Sequence, residues 1–336
     1  MLVGARQLTR AAGRVAATVV DRAESWVSAR LGIDHALRLR PAVDGDRREL
    51  DTRAGRLSYY IDRRAGGRPL VLVHGVDAAA SAYEVRPLFH HYRQLRTVLA
   101  PDLPGFGYSE RGDRRYTPAL YEDALIDLLE QELDADGPAD LVALALGCEL
   151  VARVALERPQ LVSSLGLISP TGLDLPRPGY ERWRRALTAR VTAPAVYDLL
   201  VSRRSIRYSL SKAFAGPIHP GLADYAYVTS HQPGARFAPL AFLAGDLATP
   251  KVLDRVYARV RKPVLVIHGD DGFNGNERLP ELLGQHRWIA RHIAGTGAMP
   301  HFENPLETTQ ALDLFWEDVE SREFELPDAE EDVPEA

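Results

Sequence analysis

Short apolar runs alternate with amphipathic helical stretches along most of the chain, and this alternation constrains the fold more than any other feature. The apolar runs are rich in β-branched residues and end at Gly or Pro, as buried strands do. Consecutive parallel strands require crossover connections, which are usually helices. The pattern therefore predicts an α/β fold with a mostly parallel central sheet flanked by helices. The strand segments are 69–75, 97–107 (a strand running into a Pro/Gly turn), 140–144, 161–168, 263–269 and 288–293, and the helical segments are 82–92, 116–133 and 147–157.

The alternation also predicts how the chain is divided. Two edge strands are expected before the first buried strand, at 35–41 and 55–62. Between 174 and 250 the alternation stops, and helical patches without a buried strand predict an inserted helical cap. The α/β core is then expected to comprise 34–173 and 251–321, with its last helix opened by Asn304 and Pro305. The acidic segment 322–336 has too few apolar residues to bury and is predicted to be disordered.

Composition and charge exclude several classes of function. The chain has 336 residues, of which 46% are hydrophobic and 26% charged, enough for one sizeable core. Its net charge of −5 provides no basic field for nucleic acid, so nucleic-acid binding is not expected. Cys148 is the single cysteine, so no internal disulfide can form, and no zinc-type Cys/His spacing occurs. We expect neither a metal nor a cofactor. Arginine greatly outnumbers lysine, which indicates a GC-rich bacterial genome.

The first 33 residues have the pattern of an amphipathic helix. Apolar side chains recur at helical spacing and arginines lie between them. The arginines interrupt any stretch long enough for a secretory signal or a membrane span, so a cytoplasmic location is expected. Residues 1–30 could pack on the domain's own surface, and we expect them to be removable without loss of the core. Alternatively they could contact an anionic membrane surface or a protein partner.

Three segments in chain order resemble the α/β-hydrolase superfamily. They are the strand ending in His74-Gly75, the Asp-Leu-Pro-Gly-Phe-Gly motif at 102–107, and the Pro-His-Phe-Glu-Asn-Pro motif at 300–305. The resemblance spans residues 55–320 and implies an α/β-hydrolase fold with an inserted helical cap. It also implies a Ser-His-Asp catalytic triad at defined positions.

The nucleophile position that the resemblance implies is occupied by alanine. In this family the nucleophile lies on a sharp strand-to-helix turn, G-x-S-x-G, with small residues on both sides. Here the turn is Ala143-Leu144-Ala145-Leu146-Gly147, so the small flanking residues remain and Ala145 replaces the nucleophile. Moving the register to Cys148 would place leucines where small residues are needed, so Cys148 is not expected to replace it.

The general base and the acid of the triad are also altered. The family's G-H-x-P pattern before the last helix appears as Gly297-Ala298-Met299-Pro300, so Ala298 occupies the histidine position. His301 follows three residues later; we expect it to pack against or cap the last helix, and it is a weak candidate for catalysis. Asp270 and Asp271 are weak candidates for the acid, because loop solvation or turn capping also explains carboxylates there.

The resemblance further implies an oxyanion hole built from backbone N–H groups. The donors would be Val76, after His74-Gly75, and Leu146, after Ala145. Backbone donors need no particular side chain and so survive loss of the triad. The predicted ligand-binding residues are His74, Gly75, Val76, Asp77, Ala145 and Leu146.

Three functions remain open from the sequence. The first is a non-hydrolytic pseudo-hydrolase that binds a small molecule between the Ala145 turn, the His74 loop and the cap. The second is a cofactor-free lyase, cyclase, isomerase or atypical hydrolase that uses Asp77, His74, Asp270, Asp271 or His301 for proton transfer. The third is a scaffold or interaction protein. The aromatic residues of the cap interval could form apolar pocket walls or fill the cap's own core. They are Tyr197, Tyr208, Phe214, Tyr225, Tyr227, Phe237 and Phe242.

Overall fold

The computed structural model describes residues 37–133, 137–174, 193–270, 275–284 and 287–325. Eight strands form one sheet in the order β1-β2-β4-β3-β5-β6-β7-β8. From β4 to β8 all neighbouring strands are parallel, while β1 and β2 are antiparallel to their neighbours. This arrangement confirms the predicted mostly parallel sheet. The strands are β1 Asp46–Thr52, β2 Gly55–Asp62, β3 Leu70–Val73, β4 Val98–Asp102, β5 Ala139–Leu144, β6 Val162–Ile168, β7 Val264–His268 and β8 Trp288–His292.

Helices cover both faces of the sheet. The four strands from β3 to β6 are buried along their whole length, because helices exclude water from each side. The helices are α1 Arg86–Tyr92, α2 Pro118–Glu132, α3 Gly147–Glu157, α4 Ala193–Leu200, α5 Arg203–Ala213, α6 Pro220–Ser230, α7 Phe237–Ala244, α8 Val252–Arg255, α9 Pro280–Leu283, α10 Pro300–Glu303 and α11 Pro305–Glu325. A 3₁₀ turn, Ala82–Val85, precedes α1. Within the described residues no helix is long and apolar enough to cross a membrane.

The prediction of a strand at 35–41 was wrong for its described part. Residues 37–41 form no strand, and the first strand is β1, which pairs with β2 through a tight turn at Arg53 and Ala54. β1 is mostly charged and exposed, so it carries no apolar alternation that sequence reasoning could detect. The apolar residues before it are buried for another reason. Ala42 and Val43 pack beside the sheet, and the Ala42 N–H donates to the Tyr60 hydroxyl at 3.1 Å.

The helices α4 to α7 lie between β6 and β7, in the interval predicted to be a cap, and the described part of that interval holds no strand. Within this interval, the helical pattern of residues 197–214 corresponds to two helices, α4 and α5.

The domain boundaries themselves remain predictions. α11 continues to Glu325, so the first four residues of the predicted tail are helical. The predicted N-terminal helix, 1–33, and the remainder of the tail lie outside the described residues.

The turn from β5 into α3 brings two backbone segments unusually close together. A Cβ atom added at Gly147 would lie 2.6 Å from the carbonyl oxygen of His74 and 3.4 Å from that of Val73. Both are backbone atoms at the end of β3, so they cannot move aside as a flexible side chain would. Glycine at position 147 is therefore required by the approach of α3 to β3.

We expect Gly147→Ala to lower the free energy of unfolding by about 1–3 kcal/mol, because the added methyl overpacks a rigid backbone contact. Replacing glycine by alanine within a helix usually raises the free energy of unfolding, so the effect expected here has the opposite sign. Gly284→Ala, at the end of α9, is the matched control, because nothing lies within 4 Å of its added Cβ. Urea denaturation measures both variants. A Gly147→Ala protein as stable as wild type would show that the contact is not close.

Candidate active site

The backbone at Ala145 adopts the sharp turn expected at the predicted nucleophile position. Its φ is +47°, a left-handed conformation that alanine adopts only at a cost of about 1 kcal/mol or more. The Ala145 N–H donates to the carbonyl oxygen of Ile168 at 3.0 Å, which fixes the turn to the end of β6. Leu144 and Leu146 are buried, whereas Ala145 between them is partly exposed. The turn thus presents a bare methyl group at an accessible position.

Two backbone N–H groups, one in the loop after His74 and one directly after Ala145, have no acceptor among the described residues. Val76 and Leu146 are both almost fully buried, yet neither N–H donates a hydrogen bond within the described part of the chain. Buried backbone donors are nearly always paired, so an unpaired pair is unusual. These are the two donors that the sequence assigns to an oxyanion hole, and they are available to an acceptor atom of a ligand.

His74 holds the loop that carries Val76. Its Nε2 accepts the Leu103 N–H at 2.9 Å, so the proton is on Nδ1, which donates to the Gly75 carbonyl oxygen at 2.6 Å. Burial lowers the pKa of His74 to about 4 from an ordinary 6.5, so the ring is neutral at physiological pH. Because both ring nitrogens are engaged, His74 positions backbone rather than transferring protons. Its earlier assignment as a possible proton-transfer residue does not fit this geometry.

Asp102, at the end of β4, organises the neighbouring loop. It is completely buried, and its carboxylate accepts the Ala82 N–H at 3.0 Å and the Tyr108 N–H at 2.9 Å. Burial raises the pKa of Asp102, while these two hydrogen bonds favour its charged form. A Cβ at Gly107 would fall inside the carboxylate, at 1.8 Å from its carbon. The Asp-Leu-Pro-Gly-Phe-Gly motif therefore has a structural role, because it fixes the loop after β4.

Glu84 is a buried carboxyl group beside the Ala145 turn that sequence reasoning missed. The Gly75 N–H donates to its Oε2 at 2.9 Å, and Oε1 accepts no hydrogen bond within the described residues. A Cβ built on Gly75 would lie 3.2 Å from Oε2 and 3.6 Å from the Ala145 Cβ, so Gly75 separates the two groups. Burial, and then the charge of Asp77, raise the pKa of Glu84 well above its ordinary value, so the site holds a protonatable carboxyl group.

The loop at the predicted base position is held by the cap and by α10. The Ala298 N–H donates to the Ala213 carbonyl oxygen at 2.7 Å. Glu303 accepts the Gly297 N–H and the Gly216 N–H, each at 2.7 Å. Ala298 itself is partly exposed. The loop is therefore ordered and joined to the cap, but its side chain at position 298 can accept no proton.

His301 lies in α10 and is completely buried. Its Nε2 donates to the carbonyl oxygen of Glu84 at 2.7 Å, and its Nδ1 is buried without a partner among the described residues. Burial lowers its pKa to about 4. The packing role expected for His301 matches this environment, and its hydrogen bond supports the backbone of Glu84.

The two candidate acids do not join this group in the described structure. The Asp270 carboxylate accepts the Gly295 N–H at 2.6 Å and pairs with the His292 Nε2 at 2.6 Å. Both partners lie in or after β8, at the outer edge of the sheet, and about half of the Asp270 side chain is exposed. These contacts fit turn capping. Asp271 lies outside the described residues.

Cys148 is inaccessible as a replacement nucleophile. It is completely buried, its Sγ contacts the carbonyl oxygens of Ala143 at 3.2 Å and Ile168 at 3.6 Å, and burial raises its thiol pKa. The thiolate required for nucleophilic attack is therefore disfavoured. Within the described residues, no group of three or more His, Cys, Asp or Glu side chains is arranged to hold a metal ion.

A small recess lies between the core loops and the cap, beside the His74 loop. Its enclosed space is about 10 Å³, room for about one water molecule, and Arg111 is its charged lining residue. Its other lining residues are Ala78, Ala79, Ala80, Gly105, Phe106, Tyr197, Thr229, Ser230 and Ala235. Sequence reasoning missed Arg111, because one arginine among many carries no signal of its own.

The cap aromatics have different environments. Tyr197 lines the recess and is buried, whereas Tyr208 is 67% exposed. Phe214 packs against Phe302, and Tyr225 stacks on Tyr83 at 4.8 Å between ring centroids. Phe237 and Phe242 are partly buried against the main core, and Tyr227 stacks on the His231 ring. Most of these residues therefore fill the cap and its junction with the core, and Tyr197 is the member of the set that lines the recess.

Comparison with known proteins agrees with the fold. Residues 70–311 match the model of the alpha/beta hydrolase family, and the chain belongs to that family. It is 33% identical over 257 residues to a 2-hydroxymuconate semialdehyde hydrolase of Pseudomonas sp. (strain CF600), covering 68% of this chain and 79% of that protein. It is 29% identical over 262 residues to a haloalkane dehalogenase of Mycolicibacterium paratuberculosis (strain ATCC BAA-968 / K-10), covering 75% and 81%. The crystal structure of Cfl2 from Burkholderia cenocepacia superposes with a TM-score of 0.68 at 24% identity, covering 83% and 98%.

The burial of His301 predicts how the free energy of unfolding depends on pH. Its folded pKa of about 4 lies below the unfolded value of 6.5, so the unfolded state binds more protons between those two pH values. The stability that neutral His301 contributes is therefore complete above pH 6.5 and is lost as the pH falls through 4. We expect the wild-type free energy of unfolding, minus that of His301→Gln, to fall by about 3 kcal/mol across that range.

The glutamine amide can still donate to the Glu84 carbonyl oxygen, so the variant keeps the hydrogen bond and loses only the titration. His74 is present in both proteins, and its contribution cancels in the difference. Urea denaturation at several pH values measures both curves. Parallel curves would mean that His301 is accessible to protons in the folded protein.

Proposed function

We propose that this chain is a non-hydrolytic member of the alpha/beta hydrolase family that binds a small molecule above Ala145. The observation that carries the proposal is the Ala145 turn, which keeps a strained left-handed backbone and an accessible position but has only a methyl group. In a protein that merely retained the fold, nothing would oppose the replacement of this strained alanine by glycine. A turn kept in this form supports a ligand pressed against the methyl group.

The absence of a base supports the same proposal. Ala298 occupies the predicted histidine position. Elsewhere His74 is engaged through both nitrogens, Asp270 lies at the sheet edge, and Asp77 accepts the Ala79 N–H at 2.6 Å. Loss of a single triad member lowers turnover by several orders of magnitude. The unpaired N–H groups of Val76 and Leu146 would then anchor an oxygen of the ligand without activating it for attack.

The recess beside the His74 loop has only about 10 Å³ of enclosed space, whereas binding pockets for drug-sized molecules are about 300–1,000 Å³, so the proposed ligand site is the accessible Ala145 turn and not this recess. The cytoplasmic location, the contact of residues 1–30 with a membrane or a protein partner, and the absence of a cofactor stay predictions.

Wild-type protein is expected to hydrolyse p-nitrophenyl acetate no faster than a heat-killed control and to remain unlabelled by a fluorophosphonate probe. Ala145→Ser and Ala298→His should each stay unlabelled, because nucleophile and base are needed together. The double variant is expected to gain labelling at Ser in position 145. Intact-mass and peptide-mapping mass spectrometry measure all four proteins. Stoichiometric labelling of any serine in wild type would contradict the proposal.

A second candidate is a cofactor-free enzyme that uses proton transfer, and the buried Glu84 carboxyl group favours it. A carboxyl group kept neutral near pH 7 can donate a proton or a hydrogen bond to a substrate oxygen. Burial raises the pKa of Glu84 above its ordinary value and so favours its protonated form, and a donor of this kind together with two unpaired N–H groups is an arrangement suited to stabilising an enolate.

This candidate predicts that wild-type protein accelerates deuterium exchange at the α-carbon of a small ketone such as butanone, because Glu84 and the two N–H groups stabilise the enolate oxygen while the α-proton passes to solvent. Glu84→Gln should then lower the rate about 100-fold, which is typical for loss of a general acid or base. Glu149→Gln is the matched control, because Glu149 is also buried and accepts the Thr249 N–H at 2.9 Å. Proton NMR in D₂O follows the exchange. Wild-type exchange no faster than in buffer would remove this candidate and leave binding without chemistry.

A further inference from the structure

We propose that the outer face of α5 docks this protein peripherally on an anionic lipid bilayer. This α5 outer face consists of exposed side chains, which are Arg204, Arg207, Tyr208, Ser211 and Lys212. The inference does not depend on the proposed ligand site. It is carried by the geometry of the helix, by the charge of the surrounding chain and by the apolar side chains exposed beside those charges.

The helix α5 is amphipathic. Ile206 is 5% exposed, whereas Tyr208 is 67% exposed. Because an α-helix turns by about 100° per residue, Arg204 and Tyr208 point away from the buried Ile206. Arg207 and Lys212 lie on either side of them. Three cations and one aromatic ring therefore share the surface of α5 that faces away from the core.

The α5 outer face has an unbalanced positive charge. Arg204 and Arg207 form no hydrogen bond or ion pair with any described residue, and the Lys212 Nζ lies over the Tyr208 ring at 5.5 Å. The sequence of residues 175–223 contains nine arginines and lysines and two acidic residues, although the whole chain has a net charge of −5. This interval is thus a cationic part of an anionic protein, and its charge is complementary to anionic lipid headgroups.

The positions of these cations oppose the stability of the helix. Arg203 and Arg204 lie in the first turn of α5, where the helix end is already positive, and that turn contains no acidic residue. Arg207 lies three and four residues after them, so like charges also repel along the helix surface. Asp224 of α6 pairs with Arg203 at 3.3 Å, which leaves the charges of Arg204 and Arg207 unbalanced. Cations placed against the local electrostatics indicate an anionic partner.

Exposed apolar side chains beside these cations favour a bilayer over a purely polar polyanion such as nucleic acid. Tyr208 lies among the cations of the α5 outer face, and Leu199, at the end of α4, is 70% exposed. A tyrosine ring suits the headgroup region of a bilayer, where arginine and lysine side chains reach the lipid phosphates. Basic and apolar residues together are typical of a helix that lies in the interfacial plane.

The attachment of α5 determines which part of the core would face the bilayer. The Ala298 N–H donates to the Ala213 carbonyl oxygen at 2.7 Å, so the end of α5 is joined to the loop after β8. That loop follows the carboxyl end of a parallel strand, as the Ala145 turn does. Docking through the α5 outer face therefore holds this edge of the sheet near the bilayer.

Vesicle co-sedimentation of the full-length protein tests the proposal. The probes are phosphatidylcholine vesicles with and without about 30% phosphatidylglycerol. We expect wild-type protein to bind the anionic vesicles at least about tenfold more tightly than the neutral ones, and less tightly as salt is added. Arg204→Gln/Arg207→Gln/Lys212→Gln should lower the affinity for anionic vesicles about tenfold or more, because each cation near such a surface contributes about fivefold.

Arg259→Gln/Arg261→Gln/Arg287→Gln is the matched control, because it removes the same charge from exposed arginines. These residues precede β7 and β8, so they lie at the amino edge of the sheet, opposite the cap. The control should change vesicle affinity about twofold or less. Circular dichroism and the thermal midpoint establish that both triple variants are folded.

Tyr208→Ser separates the apolar contribution from the charge. It should lower the affinity for anionic vesicles about threefold and leave the salt dependence of binding unchanged, because the ring contributes apolar contact and carries no charge. An affinity equal to that of wild type would show that the ring does not enter the headgroup region, and the bilayer proposal would then be wrong.

The remaining outcomes also decide the proposal. Binding to anionic vesicles that is lost in the α5 triple variant and kept in the control supports it. Wild-type protein that binds neither kind of vesicle, or both equally, overturns it, as does tighter binding to duplex DNA than to anionic vesicles. Equal affinity of wild type and the α5 triple variant, or equal losses in the two triple variants, overturns the assignment to α5. The ligand site at Ala145 is tested separately, so failure of one proposal leaves the other standing.

Discussion

The close approach of α3 to the end of β3 is the constraint on which the site depends. Only a glycine at position 147 lets the helix begin where the His74 carbonyl oxygen lies. That approach forces the chain at Ala145 into its left-handed turn and brings the loops after β3 and β5 to one edge of the sheet. The unpaired N–H groups of Val76 and Leu146 are a consequence of this backbone geometry. They need no particular side chain, which explains how the site can keep its donors while its side chains change.

The buried ionisable groups around this turn show how the site is supported. His74 and His301 are held neutral by burial and donate to backbone carbonyl oxygens, while Asp102 accepts backbone N–H groups. Each of these side chains therefore fixes a loop, and none of them is free for proton transfer. Glu84 differs, because one of its oxygens has no partner within the described residues. The site thus combines a rigid backbone arrangement with one protonatable group, Glu84.

The fold could be predicted from the sequence because apolar runs and helical periodicity directly reflect which residues are buried. The helix at Gly147–Glu157 was predicted with its observed bounds, since its Gly start and the Pro159 stop are local signals. β1 was missed because an exposed, charged edge strand has no apolar pattern. Glu84 and Arg111 were missed for a different reason. Their importance comes from burial and from long-range neighbours, and neither can be read from residues adjacent in the chain. An acidic residue within the mainly apolar stretch 78–85 was the available signal for Glu84.

The central claim is that the protein binds a small molecule at the Ala145 turn and does not hydrolyse it. Monomethyl succinate tests both parts, because its carbonyl oxygens can accept the unpaired N–H groups and hydrolysis of its ester would release methanol. In one saturation-transfer NMR experiment, transfer from protein to ligand reports binding, and the methanol signal over several hours reports turnover. We predict saturation transfer with no methanol beyond that formed in buffer. Methanol that accumulates in proportion to protein concentration would contradict the account.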